Sequence, residues 1–211
     1  MVLQLVKRPK KRIGKVINKT MKENSRIFYI ADIHFGDFNI FEKCQRPFDS
    51  VNDMNKQIII NWNNKINNND LVYILGDISL NEKYLELYSM LNGHKHLIIG
   101  NHDEILISFI KKSNIFETIK YIDLIEDNGI KVCICHYPLL DWPEFNRGSY
   151  LVYGHIHNKT IKNGIEYKQI KDYYSNKNAY NCGVDVVGYA PVTLEEMKYL
   201  KEKNKDEAYI N

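Results

Sequence analysis

The 211-residue sequence has few cysteines and no long apolar run. Its four cysteines form no Cys-x-x-Cys pair, which argues against a thiolate zinc site. No stretch approaches the roughly 20 consecutive apolar residues that a membrane-spanning helix requires, and the N-terminus lacks the pattern of a signal peptide. Because disulfides belong to oxidising compartments, the lack of paired cysteines favours the reducing cytoplasm. We therefore expect a cytoplasmic protein without a membrane span.

Acidic residues are absent from the first 22 positions, which contain eight lysines and arginines. The remainder of the chain has 21 basic and 26 acidic residues, so the net charge of +3 combines a basic arm with an acidic body. A basic arm can hold nucleic acid or an anionic membrane surface, whereas the simpler interpretation is a solvated tail. The sequence predicts a basic, disordered arm over residues 1–24 and one domain over residues 25–211, long enough to bury a substantial core.

Five short polar blocks, most of them directly after an apolar, β-branched segment, follow one another along the chain. They are Asp32-Ile33-His34, Gly76-Asp77, Gly100-Asn101-His102-Asp103, His136 and Gly154-His155-Ile156-His157. Apart from glycine and isoleucine they contain only Asp, Asn and His, the ligand types that suit Mn, Fe, Ni or Zn. Ligands at the carboxyl ends of several strands converge on one edge of a sheet, where open α/β folds keep their sites. The pattern therefore predicts the site of a two-metal phosphoesterase.

The spacing within two of these blocks suggests how each could hold one ion. Asp32 and His34 are two residues apart at a predicted strand end, so both side chains should leave the same face. The same argument applies to His155 and His157. A glycine precedes Asp77 and another precedes His155, where a missing Cβ lets the backbone turn sharply and approach the ions.

Together the blocks resemble the calcineurin-like metallophosphoesterase superfamily over about Ile27 to Met197. The likeness is greatest to a small bacterial and phage branch whose first motif runs Asp-x-His-Phe-Gly-His-x-Asn-Ile. The resemblance implies an α/β fold, a four-layer α/β/β/α sandwich of two mixed sheets flanked by helices. It also implies hydrolysis of a phosphate mono- or diester, with a small phosphorylated molecule or nucleotide as the substrate.

The same resemblance implies two divalent metal ions, Mn before Fe, Ni or Zn, that share one carboxylate. The first ion would be bound by Asp32, His34, Asp77 and His157. The second would be bound by Asp77, Asn101, His136 and His155. Bridging by Asp77 would hold the ions ~3.5–4 Å apart, and their excess positive charge would attract phosphate and activate a bridging hydroxide for attack on phosphorus.

Two residues of the third block are assigned catalytic roles. His102 is not needed as a ligand, and in the resembled family it sits beside the metals as the general acid. Asp103 could orient that imidazole, as carboxylates do in catalytic pairs. Alternatively, Asp103 is only the cap of a helix that begins near Glu104, and both roles are compatible.

Candidates for substrate binding follow the first motif. Asn39 and Arg46 match the branch pattern, and arginine offers phosphate a planar, bidentate fork. The structural alternative is a loop residue paired with a carboxylate. Asn101 is a further substrate-binding candidate beside its metal role. Asp37 stands where the branch has histidine, which removes a donor, adds negative charge and puts the implied substrate preference in question.

Helices and loops can be placed between the blocks. Apolar residues recur at three-to-four spacing over residues 51–66 and 84–91, which predicts two helices. Thr193-Leu194-Glu195-Glu196 is a capping box that opens a C-terminal helix. The loop over residues 137–147, with Trp142, offers an aromatic wall for a base or another flat group.

The remaining polar candidates are assigned to structure. His94 and His96 precede a predicted strand rather than end one, which indicates a surface turn and strand start. Cys133 and Cys135 share one face of a strand and are typical of small buried side chains. Asp185 lies in a stretch that resembles the closing strand of the branch, and we interpret it as structural.

Two alternative functions remain open at this stage. A nuclease is the main alternative, because related two-metal sites cut DNA or RNA; the basic arm favours it, and the acidic body counts against it. A non-catalytic binding scaffold is the other, but members that lose catalysis lose ligands or the acid histidine, and all are present here. The sequence makes no prediction of the oligomeric state.

Overall fold

The computed structural model describes residues 25–158, 161–162 and 165–208, and the side chains of residues 161–166 and 204–208 are not considered. The predicted basic arm over residues 1–24 therefore lies outside the described residues. The strands are β1 (Ile27–Ile30), β2 (Leu71–Leu75), β3 (His94–Ile98), β4 (Thr118–Lys120), β5 (Ile122–Asp127), β6 (Ile130–Cys135), β7 (Tyr150–Tyr153), β8 (Ile161–Lys162), β9 (Ile165–Glu166) and β10 (Ala179–Asn181).

The α-helices are mostly short and lie between the strands. They are α1 (Phe38–Lys43), α2 (Val51–Lys65), α3 (Glu86–Ser89), α4 (Ile107–Ser113), α5 (Tyr167–Tyr174), α6 (Val184–Val187) and α7 (Leu194–Ala208). Among the described helices, none combines the length and the apolar character that a bilayer span would need.

Two four-stranded sheets form the centre of the fold. The first has the order β1-β2-β3-β4 and is parallel throughout, with one isolated antiparallel bridge between Tyr29 and Val192 at its edge. The second has the order β10-β7-β6-β5 and is mixed, because β5 runs antiparallel to β6. A further bridge between Ala31 and Gly183 links the two sheets. The carboxyl ends of the parallel strands thus lie on one side of the molecule.

Three apolar clusters define the layers. The outer face of the first sheet packs against α2, where Trp62 is fully buried. Tyr29 and Val152 belong to a second cluster that lies between the sheets and includes residues of α7. Leu151 and Tyr174 belong to a third cluster between the second sheet and α5. The predicted α/β/β/α order of four layers is therefore confirmed.

One of the predicted helices forms over nearly its expected range, and another is broken into shorter turns. The helix expected over residues 51–66 is α2, and it is capped by Ser50, whose hydroxyl accepts the backbone N–H of Asp53 at 3.1 Å. The helix expected over residues 84–91 is broken into a 3₁₀ turn and the four-residue α3. The capping box is confirmed, since the Glu196 carboxylate accepts the backbone N–H of Thr193 at 2.7 Å.

Candidate metal centre

The five polar blocks converge at the carboxyl ends of the strands. Within the described residues, three groups of side chains place their ligand atoms within 4.8 Å of one another, and one of them, Cys44, His157 and Asp185, includes two residues that were not predicted as ligands. Of the other two, the first group is Asp32, His34 and His157, and the second group is Asp77, His136 and His155. Both are subsets of the two predicted ligand sets. The Asn101 side-chain oxygen lies 3.0 Å from Nε2 of His136, so the seventh predicted ligand lies beside the second group.

Asp77 belongs to the second group and also faces the first. Its Oδ2 is 3.6 Å from Nε2 of His34, in the first group, and 3.5 Å from Nε2 of His136, in the second. Burial alone would raise the pKa of the Asp77 carboxyl, but the adjacent imidazoles of His34 and His136 outweigh it and hold that pKa well below its usual range. A buried, ionised carboxylate between two imidazole groups is suited to serve two cations.

The ligand side chains are aimed by left-handed backbone turns rather than by the pleat of a strand. Strand β1 ends at Ile30, and positive φ angles occur at five predicted ligands: Asp32 (58°), His34 (52°), Asp77 (55°), His155 (69°) and His157 (49°). The expectation that alternation along a strand pairs these ligands is therefore wrong in its mechanism, although the pairs do meet. Such angles cost about 1–3 kcal/mol for residues with a Cβ and concentrate at functional sites.

Two glycines permit close approach of the loops. Gly76 has φ of +81°, and a Cβ there would lie 2.5 Å from the backbone N of Gly100 and 2.7 Å from Nδ1 of His136. A Cβ on Gly154 would lie 2.8 Å from Oδ2 of Asp32. Any larger residue would therefore push ligand segments apart, as expected from their places directly before two ligands.

Three of the histidines are oriented through the ring nitrogen that faces away from the centre. Their Nδ1 partners are Oδ2 of Asp37 for His34 (3.2 Å), the carbonyl oxygen of Leu75 for His136 (2.8 Å) and Oδ2 of Asp185 for His157 (2.6 Å). Acceptors at Nδ1 fix the tautomer that carries its lone pair on Nε2. Metal-ligating histidines have this arrangement, which sequence inspection did not anticipate for Asp37 and Asp185.

The histidine nitrogen atoms that face inward lie close to one another or to Asp77. Nε2 of His34 is buried and has no hydrogen-bond partner within the described residues. Nε2 of His136 and Nδ1 of His155 lie only 3.2 Å apart. Buried nitrogen lone pairs without donors are costly, and divalent ions would satisfy them. The mixture of carboxylate, amide and imidazole donors also fits first-row divalent metals.

His102 lies beside this centre and is open to solvent. Its Nε2 is 3.9 Å from Oδ2 of Asp77, and the side chain is 34% exposed. Its ring lies 5.3 Å from the ring of His34. A partly exposed imidazole next to the ligands can meet a bound substrate, as its proposed acid role requires.

Asp103 lacks the capping role that the sequence allowed. Its carboxylate makes no capping bond to the turn that begins at Glu104. Instead it accepts the backbone N–H groups of Gly100, Asp77 and Ile78 at 2.8, 2.9 and 2.8 Å. Burial raises the pKa of Asp103 to about 6 even though these bonds favour its ionised form. Asp103 therefore fastens together the loops that carry Asp77 and Asn101.

We expect Asp103→Ala to lower the free energy of unfolding by about 3–5 kcal/mol, because three backbone donors lose their acceptor. Urea denaturation followed by tryptophan fluorescence measures this loss. Asp49→Ala, at an exposed loop position, is the control and should change stability by no more than ~0.5 kcal/mol. Equal midpoints for the two variants would contradict the fastening role.

Of the substrate-binding candidates, Arg46 is redirected to the protein interior. It is 4% exposed, and its guanidinium pairs with Asp185 and donates to the backbone carbonyls of Asp32 and Ile33. These contacts leave it unsuited to bind substrate phosphate. Asn39 is exposed on α1. Asp37 caps α1 by accepting the backbone N–H of Asn39 at 2.9 Å, besides its bond to His34.

Within the loop over residues 137–147, where an aromatic wall was predicted, Trp142 does not face the centre. Trp142 is 4% exposed and packs against Phe145 with ring centroids 4.5 Å apart, so it belongs to the core. Tyr137 takes the predicted place: it is 42% exposed, and its ring centroid lies 4.9 Å from those of both His136 and His155. The sequence signal for Tyr137 was its position directly after a ligand.

The other polar candidates lie as expected. His94 and His96 begin β3 and thus stand at the opposite end of the sheet from the centre. Cys133 and Cys135 are buried in the third apolar cluster, and burial raises the pKa of Cys133 to about 12. Neither pair belongs to the groups of converging ligand atoms within the described residues.

Comparisons with known proteins agree with this geometry. A family model for calcineurin-like phosphoesterases matches residues 25–208. An uncharacterized protein of Methanocaldococcus jannaschii is 36% identical over 190 residues, which cover 88% of this chain and 97% of that protein. The crystal structure of a protein of unknown function from Aquifex aeolicus is similar with a TM-score of 0.65 and 25% identity, and the alignment covers 84% of this chain and 100% of that one.

Proposed function

The chain belongs to the calcineurin-like phosphoesterase family, and we propose that it uses two divalent ions to hydrolyse a phosphate mono- or diester. The observation that supports this most directly is the convergence of two groups of Asp and His side chains, one of which contains Asp77 while the other faces it. Nε2 of His34, in the first group, is buried and has no hydrogen-bond partner within the described residues. The proposed substrate is a small phosphorylated molecule or a nucleotide. Phosphoester hydrolysis in general follows from membership of this family. The roles of the individual residues are our inference.

We assign the first ion to Asp32, His34, Asp77 and His157, and the second to Asp77, Asn101, His136 and His155. Manganese is the first choice among ions that accept such donors, and Fe, Ni or Zn are alternatives. When bound, these ions supply the charge that attracts phosphate and makes a water nucleophilic near neutral pH. Proton donation and the positioning of the substrate are assigned to the side chains around these ions.

His102 is the proposed general acid. Its imidazole is partly exposed beside Asp77, where it can donate a proton from Nε2 to the oxygen that leaves phosphorus. The backbone N–H of His102 donates to Oδ1 of Asp77 at 2.9 Å, so the position of the acid is tied to the carboxylate between the two ligand groups. Asn39, on the exposed side of α1, and Asn101 are further proposed contacts of the substrate.

Tyr137 supports a substrate with a flat group next to the phosphate. Its ring contacts two ligand histidines and yet is 42% exposed, so part of the ring faces solvent at the edge of the centre. Aromatic faces stack on other rings with a gain of about 0.5–1.5 kcal/mol beyond simple burial. A nucleobase or another aromatic group would use this surface, whereas an alkyl group would gain little.

We expect Tyr137→Ala to raise KM for p-nitrophenyl phosphate about tenfold, which corresponds to roughly 1.4 kcal/mol of lost stacking. KM for glycerol phosphate should stay the same, and Tyr137→Phe should behave as wild type with both substrates. Steady-state kinetics with both esters measures the ratio of the variant KM to the wild-type KM for each substrate. Tyr199→Ala, at an exposed tyrosine of α7, is the control. Equal changes in KM for the aromatic and the aliphatic ester would rule out the stacking role.

The proposed activity is tested with a substrate panel on metal-reconstituted protein. The panel contains p-nitrophenyl phosphate, bis-p-nitrophenyl phosphate, cyclic nucleotides and short oligonucleotides, each with Mn, Fe, Ni or Zn. We expect hydrolysis of at least one small ester, abolished by a chelator and restored by the metal. If no member of the panel is cleaved with any of the four ions, the proposal fails.

A nuclease is the second candidate, and it is favoured by the eight basic residues that precede Glu23. Contacts between lysine or arginine and phosphates make binding weaker as salt rises. Oligonucleotide binding should therefore fall steeply with salt for the full chain and less steeply after deletion of residues 1–20.

A cytoplasmic location is proposed from the cysteine pattern of the sequence.

A further inference from the structure

Arg46 and Asp185 form a buried ion pair directly behind the candidate metal centre. Nε of Arg46 donates to Oδ1 of Asp185 at 2.9 Å, and Nη2 donates to Oδ2 at 3.2 Å. The two side chains are 0% and 5% exposed. This bidentate geometry holds the carboxylate in one orientation.

Each partner of the pair also holds a ligand segment. Oδ2 of Asp185 accepts Nδ1–H of His157 at 2.6 Å. Arg46 donates from Nη2 to the carbonyl of Asp32 and from Nη1 to the carbonyl of Ile33, both at 2.7 Å. The pair thus connects the loop after β1 with the loop after β7. Arg46 and Asp185 are 139 residues apart in the chain.

Stability alone does not explain this arrangement. A buried ion pair seldom stabilises a fold more than apolar side chains of similar volume, because both charges lose their hydration. Here both side chains contact the segments that carry Asp32, His34 and His157, and Asp185 also accepts the Tyr189 hydroxyl at 3.3 Å. All three of these residues are in left-handed turns that the backbone would not keep unaided, with φ of 58° at Asp32, 52° at His34 and 49° at His157.

We propose that Arg46 and Asp185 are positioning residues that set the affinity of the first metal position. Asp185 fixes the ring of His157 with Nε2 toward the centre, and Arg46 holds the turn that directs Asp32 and His34. The second position, built by Asp77, Asn101, His136 and His155, has its own supports in Leu75 and Asp103. The inference rests on the proposed function in one respect, which is that the centre binds divalent ions.

The test is the binding of Mn²⁺ or Co²⁺ to metal-free protein, measured by isothermal titration and by the visible absorption of bound Co²⁺. Asp185→Asn keeps the size of the side chain but replaces one carboxylate oxygen with an amide NH2 group, which removes the negative charge. We expect one of the two ions to bind ~10–100-fold more weakly, the usual effect of removing the partner of a ligand histidine. The other ion should keep its wild-type affinity. Arg46→Lys retains the positive charge but not the two-pronged guanidinium geometry, and it should weaken the binding of the same ion.

Asp70→Asn is the matched control. Asp70 is 2% exposed and pairs with Arg26 at 2.7 Å, but it lies before β2, at the opposite end of the strand from Asp77. The Asp70→Asn variant should bind both ions with wild-type affinity, whatever its melting temperature. Unchanged affinity in both Asp185→Asn and Arg46→Lys, or an equal loss in Asp70→Asn, would overturn the positioning role. If wild type binds no divalent ion, the proposed function itself fails, and the two failures are thereby distinguished.

Discussion

Replacing His102 with alanine should slow turnover by ~10²–10⁴ and leave both metal positions filled, because general acid catalysis contributes about this factor. The side chain lies beside Asp77 at 3.9 Å and is not part of either ligand group. His94→Ala is the control, since His94 is half exposed at the opposite end of the sheet. Metal content and turnover are measured on the same preparation.

The loss in His102→Ala should depend on the leaving group. A p-nitrophenolate ester should suffer less than an alkyl or nucleoside ester, because the phenolate departs without a proton. If His102 only holds phosphate as a fixed donor, His102→Gln should recover part of the rate and the loss should be the same for both esters. Equal losses with both metals retained would therefore exclude the acid role. Loss of metal would show instead that His102 is a ligand.

Replacing Asp77 with alanine should abolish hydrolysis and weaken metal binding at both positions. One carboxylate oxygen lies within 3.6 Å of a histidine nitrogen from each ligand group, so its removal affects both. The negative charge that offsets two adjacent dications is lost as well. Metal content after dialysis, determined by atomic emission, measures the effect.

Asp127→Ala is a suitable control for Asp77→Ala. Asp127 is a buried carboxylate that accepts the Tyr29 hydroxyl at 2.9 Å and lies at the end of β5, apart from the ligand groups. Its loss should lower stability without changing metal content. Two ions retained per chain in Asp77→Ala would refute the bridging assignment.

The resemblance to the family implied the fold. The local pattern of the sequence predicted where strands end and which polar side chains lie there, because apolar runs that end in Asp, Asn or His mark strand ends directly. It gave the wrong reason for the pairing of Asp32 with His34, since a left-handed turn leaves no periodic signature. Gly76 and Gly154 were the visible signs that the backbone turns closely there.

Partners distant in the chain could not be predicted in this way. Asp103 accepts backbone N–H groups from Asp77 and Ile78, which precede it by 26 and 25 residues. Arg46 was expected at the substrate, and its partner Asp185 was assigned to structure without a contact. A surface arginine and a buried one look alike in sequence, because burial depends on the packing of segments that are far apart.

The most direct test of the two-metal hydrolase is titration of metal-free protein with Mn²⁺ while hydrolysis of bis-p-nitrophenyl phosphate is recorded. We predict that the rate rises until two ions are bound per chain and then stays constant, as a two-metal site requires. A full rate with one bound ion, or the same rate without metal, would contradict this account.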